Sequence, residues 1–184
     1  MGYTCHVAGT AWLARAGMNA YAQENFKWDI VTESSKSKAQ LYTDVKNFIN
    51  GSWQVAGKEI MQEDEAKGFI MAKGNVNVTR GPKMGPWVYN FEFNVKYYVK
   101  DNKHRIVVDN VFCTSATMST TSSHMDVQRP PVSDNYPEEK GKKITGLTKK
   151  MYTNLMDKLK ASIQENIDSY LKFMSSDTSI DTDW

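Results

Sequence analysis

The sequence predicts a two-layer α+β domain, a five-stranded antiparallel sheet in the order β-α-β-β-β-β-α with both helices on one face. Three observations carry this. Between Pro86 and Lys100 the residues Trp87, Tyr89, Phe91, Phe93, Val95 and Tyr97 alternate with Asn90, Glu92, Asn94 and Lys96. Strand side chains alternate faces with period 2, so this is a long strand with one aromatic face buried and one polar face wet. Four such runs follow one another through short turns, as in a meander. Finally, Leu147, Met151, Leu155, Leu159, Ile163, Ile167 and Leu171 recur every four residues, widened by Tyr152, Met156, Tyr170 and Met174 into the stripe of a helix of about seven turns. Strict spacing by four drifts around a straight helix, so the stripe must wrap or face two surfaces.

Taken in order, Phe26, Trp28 and Ile30 alternate in a first strand over residues 26–32. Ser37 and Gln40 form a capping box, opening a helix whose Leu41, Tyr42, Val45, Phe48, Ile49 and Trp53 share a face, with Asn50-Gly51 as the stop. Residues 58–63 read as the second strand, and Asp64-Glu65-Ala66-Lys67-Gly68 as its turn. The third strand, 69–79, places Ile70, Ala72, Gly74, Val76 and Val78 on one face and Lys73, Asn75 and Asn77 on the other. Arg80 to Pro86 turns into the aromatic strand, and Asp101-Asn102-Lys103 closes a hairpin to a fifth strand from His104 to about Ala116.

The chain is 184 residues, enough for one domain with a sizeable core. Residues 1–22 read as a signal peptide or disordered leader: Ala20-Tyr21-Ala22 suits a signal peptidase, whereas Arg15 interrupts the apolar part and no basic residue precedes it. A start codon set too early, or an ordinary structured N-terminus, accounts for the same residues. The domain itself spans 23–176. Within it, 119–143 is a long loop with Pro130, Pro131 and Pro137, read as a mobile surface excursion or as a lid anchored by Met125, Val127, Val132 and Tyr136. Residues 177–184 form a polar tail.

The 23 Lys+Arg against 21 Asp+Glu give a net charge of +2, which lacks the strongly basic footprint of a dedicated nucleic-acid binder. No apolar run reaches the ~18 residues of a transmembrane helix. The two cysteines, Cys5 and Cys113, support neither a disulfide framework nor a zinc site; Cys113 reads as a small core residue.

Leu41-Tyr42, the run Gln62 to Ile70, Phe91-Glu92-Phe93-Asn94-Val95 and the run Lys100 to Arg105 together resemble a family. It comprises bacterial domains of unknown function, largely from Bacteroidota, with a TATA-binding-protein-like fold. The resemblance covers about residues 26–115, with Phe48 where the family more often carries Trp. It implies the fold and an exported location, and supplies no activity and no site residues.

Chemistry is sparse. His6, His104 and His124 lie in the leader, a hairpin and the loop; none has a second His at helical ligand spacing, and each reads as solvent-exposed. Glu63, Asp64 and Glu65 form a charged corner without calcium-loop spacing, and Asp177, Asp181 and Asp183 belong to the tail. Gly81, Lys83 and Gly85 lack the P-loop pattern, and the serines at 119–123 lack a nucleophile elbow. Lys142, Lys143, Lys149 and Lys150 gather where the long helix begins and read as solvated.

The reading is therefore a non-enzymatic binding or interaction domain, exported, with no metal or cofactor. It would be periplasmic or on the cell surface if residues 1–22 are a signal peptide and cytoplasmic otherwise. Its candidate interaction face is Asn75, Asn77, Asn90, Glu92, Asn94 and Lys96; its candidate pocket rim is Trp53, Trp87, Tyr97 and Tyr136. The partner is a protein, a glycan or a small hydrophobic ligand. The last belongs to the alternative, a helix-grip carrier in which the long helix closes the sheet over its cargo. A hydrolase or a DNA binder ranks lower, since the amide-rich face lacks the cations and apolar wedges that gripping DNA requires.

Overall fold

Alternating aromatic residues build the central strand, and the rest of the sheet is arranged around it. The computed structural model describes residues 26–51, 59–81, 86–118, 124–125, 132–133, 135–137, 144 and 146–176. In chain order the elements are β1 (Trp28–Glu33), α1 (Lys38–Gly51), β2 (Ile60–Asp64), β3 (Phe69–Arg80), β4 (Trp87–Lys100), β5 (Lys103–Met118), β6 (His124–Met125) and α2 (Lys149–Ser175). The sheet order is β1-β5-β4-β3-β2, all antiparallel, so β2 to β5 form the expected meander and β1 returns beside β5. To the five long strands the loop adds the two-residue β6, paired with β5.

The inner face of β4 is Tyr89, Phe91, Phe93, Val95, Tyr97 and Val99, all buried. Its neighbours in register are small or branched: Ala72 opposite Val95, Gly74 opposite Phe93 and Val76 opposite Phe91 on β3. Gly74 is required for space, because a Cβ there would be driven into the Phe93 ring. Gly68, in the β2–β3 turn, has φ +65°, and its carbonyl accepts from Val99 N at 2.8 Å.

Both helices cover this face. In α1, Ser37 N donates to Gln40 Oε1 at 3.0 Å and Gln40 N to Ser37 Oγ at 3.4 Å, the predicted capping box. The hairpin carboxylate of Asp101 adds a cap the sequence did not reveal, accepting from Lys38 N at 2.8 Å. Thr148 caps α2. The long stripe resolves its own drift: the buried residues are Tyr152, Leu155, Met156, Leu159, Ile163, Ile167, Tyr170 and Met174, in which steps of three interrupt the steps of four. Met151 and Leu171 slide to the margin of the interface.

The loop gains detail and one expectation, that for His104, changes. The described parts of the 119–143 loop are tied to the core: Val132 is buried and donates its N–H to Val111 O at 2.9 Å. Tyr152 Oη donates to Ser133 O at 2.7 Å, and Tyr136 Oη to Leu147 O at 3.1 Å. Buried backbone groups need partners, and the loop acquires them by adding to β5 and α2. His104, expected in solvent, is 3% exposed. It shares the inner face with Ile106 and Val108 in strict alternation, and the face carries it inward. Residues 1–22, Trp53, the tail 177–184 and the cluster's Lys142 and Lys143 lie outside the described residues; Lys149 and Lys150 are exposed.

Candidate functional site: the open face of the sheet

Strand pairing fixes the outer face row by row, because residues opposite one another in an antiparallel pair project to the same side. The first row crosses Val31 on β1, Arg105 on β5, Tyr98 on β4 and Phe69 on β3. Here the Phe69 and Tyr98 rings lie 5.1 Å apart, and the Arg105 guanidinium sits 5.6 Å from the centre of the Tyr98 ring. Val31 and Tyr98, 57% and 37% exposed, make this the apolar end.

The next row is Asp29, Val107, Lys96 and Met71. Arg105 reaches down to it with two hydrogen bonds to Asp29, Nε donating to Oδ1 at 2.7 Å. That bond holds the Asp29 carboxyl below its ordinary pKa despite partial burial, and raises that of Arg105. Lys96 Nζ meets Asp109 Oδ2 at 2.6 Å, on side chains 25% and 20% exposed. The other Asp109 oxygen, Oδ1, is buried without a hydrogen-bond partner among the described residues. Asp109 is set by a bulge: Asn110 takes a left-handed φ of 54°, and the β4–β5 register skips between Glu92 and Asn94.

Beyond the bulge the face turns to amides. Asn94 stands opposite Asp109 and Lys73, Glu92 opposite Phe112 and Asn75, and Asn90 opposite Ser115 and Asn77. Lys73 Nζ pairs with Glu92 Oε2 at 2.7 Å, Asn90 Nδ2 donates to Ser115 Oγ, and Thr114 Oγ1 donates to Asn90 O at 3.2 Å. The six face residues named from sequence thus do fall on one surface, in the two adjoining strands β3 and β4. Sequence reasoning missed the β1 and β5 contributions, Asp29, Arg105 and Phe112, since only the register brings them beside β4. Each central cation, Lys73, Lys96 and Arg105, is matched by a carboxylate, so the middle of the face is electrically neutral.

Of the four rim residues, Trp87 and Tyr97 are not brought together. Trp53 lies outside the described residues. Trp87 packs partly buried at one end of β4, whereas Tyr97 is buried roughly 30 Å away along the same strand. There its ring lies 5.1 Å from Tyr170, and burial pushes its phenol well above the usual pKa. Tyr136 instead packs edge-on to Tyr152, with centroids 5.6 Å apart. Among the described residues no group of three or more His, Cys, Asp or Glu could hold a metal ion, and no helix is long and apolar enough to cross a membrane.

A two-layer α+β domain with one sheet face sealed by helices and the other left uncovered by the described elements is the class these features define. Residues 28–112 match the model of a family described as a domain of unknown function (DUF4468) with TBP-like fold. A DUF4468 family protein from Bacteroides ovatus superposes with a TM-score of 0.55 at 16% identity, over 84% of this chain and 90% of that one. A TBP-like protein from Parabacteroides distasonis gives 0.61 at 10% identity, over 84% and 96%. At these identities the likeness is one of fold. A comparison with curated proteins finds no match.

Proposed function

We propose that this chain is a non-enzymatic binding domain which engages its partner through the outer face of the sheet. The observation that carries this is the asymmetry of the sheet: α1 and α2 both pack on the inner face, and none of the described elements packs on the outer one. Pairing of the central cations favours a partner without dense negative charge, against a phosphate backbone, which draws on unpaired Lys and Arg. Tight packing speaks against the carrier alternative, because Phe93 fills the space above Gly74 and Leu155, Leu159, Ile163 and Ile167 are fully buried against the sheet.

A photo-crosslinking residue placed at Asn77 or Asn94, and at exposed Thr153 on the helical layer as control, tests the reading in the native host. Adducts from the two sheet positions, lost on Asn90→Arg and absent from Thr153, are the expected result. Adducts from Thr153 alone would overturn it. Native mass spectrometry of the host-purified protein addresses the carrier, which requires a retained small molecule.

A further inference from the structure

The turn after β1, the start of α1, the β4–β5 hairpin and the last turns of α2 meet around polar groups that the sheet-face reading does not use. His104 Nδ1 and Tyr170 Oη are 3.0 Å apart, inside the core. The Tyr170 ring is wedged between Phe48 of α1, at 5.3 Å, and Tyr97 of β4, at 5.1 Å. One turn further along α2, Lys36 Nζ donates to Met174 O at 3.3 Å and Ser176 O at 3.0 Å, and pairs with Asp44 Oδ2 at 2.9 Å. An ammonium at these carbonyls satisfies acceptors that the helix end leaves free and complements its dipole. Lys36 O in turn accepts from Asn102 N at 3.1 Å, joining this cap to the hairpin that carries His104.

We propose that this cluster is an acid-released latch: neutral His104 holds the end of α2 against α1 and the hairpin, and its protonation frees that end. The chemistry follows from the hydrogen bond. With the ring proton on Nε2, Tyr170 donates to Nδ1; with it on Nδ1, the ring donates to Oη. A second proton permits only the latter and forces the Tyr170 hydroxyl proton toward another acceptor, while placing a cation in the core. The facing groups offer little compensation. The turn after β1 presents the Lys36 ammonium, α2 the Tyr170 phenol and β4 Val99 with Tyr97 beside it on the same face, and β1 supplies Thr32. Of the carboxylates at this end, Asp44 of α1 is engaged by Lys36, and Asp101 of the hairpin accepts from Lys38 N at the start of α1.

Burial first, and the Lys36 charge second, hold the His104 pKa below the ordinary imidazole value. An opened end titrates at about 6.5, so the latch is fully effective above that pH and weakens as pH falls from there through the closed-state pKa.

Hydrogen exchange of the whole chain, corrected for intrinsic rates and compared between about pH 7.5 and about pH 5, tests this. Residues 34–44 and 165–176 should exchange up to about tenfold faster at the lower pH, tenfold being the limit per unit of pKa depression, with 89–95 unchanged. In His104→Gln the two segments should show no such rise. A flat wild type, a rise spread evenly over all segments, or an equal rise in His104→Gln overturns the proposal. If that variant does not fold, the imidazole resonances of the wild type decide: His104 must titrate below the ordinary value and over the range in which exchange accelerates, and titration at or above it refutes the latch.

Discussion

The two faces of β4 are built from one stretch of chain and obey different rules. On the inner face Phe91, Phe93 and Tyr97 are fully buried against helices, and each neighbour is sized to its place. On the outer face Asn90, Glu92, Asn94 and Lys96 remain partly exposed, and cross-strand charge pairing takes the place of shape. Volume is the constrained quantity on one side and charge balance on the other. Substitution energies should therefore fall steeply from inside to outside while sensitivity to a partner runs the opposite way.

The largest effect expected is from Phe91→Ala, which removes a ring from the centre of the core and should cost about 3–5 kcal/mol in chemical denaturation. Gly74→Ala should follow at about 1–3 kcal/mol, since a single added methyl must displace the Phe93 ring; a neutral result would show that the inner face has slack. On the outer face Lys96→Met strands a carboxylate already short of partners and should cost about 1–3 kcal/mol. Asp109→Asn added to it should recover part of that loss, so a double-mutant cycle separates charge from packing. Arg105→Ala should be smallest, at most about 1 kcal/mol, as an exposed pair permits. Its sign with pH is fixed by the lowered Asp29 pKa: the contribution is present above about pH 4 and disappears as pH falls through the native value, so wild-type and variant acid-unfolding curves should converge in strong acid. Outer-face losses as large as the inner ones would show that this side, too, is selected for shape.

How much could be read in advance follows the same division. Alternation exposed β3, β4 and both their faces, and the capping box placed the start of α1 correctly. The six face residues were legible because period 2 assigns a side without knowledge of the neighbours. His104 obeys the same rule: its residue type and its place beside a hairpin turn suggest solvent, whereas its alternation with Ile106 and Val108 carries it into the core. Val132 and Tyr136 were legible as apolar anchors of the loop, but their partners, the Val111 carbonyl of β5 and the Leu147 carbonyl before α2, are fixed by the fold and not by a local pattern.

By itself, then, the sequence determined the elements, their order and which side of each strand is apolar, because propensity, capping and periodicity act within a few residues. Only the tertiary structure decided which strands became neighbours, and with that the row of Asp29, Lys96 and Met71, the bulge that sets Asp109, and the junction of Lys36, His104 and Tyr170. Those features join residues from distant segments, whose encounter is fixed by how the whole chain buries its apolar surface.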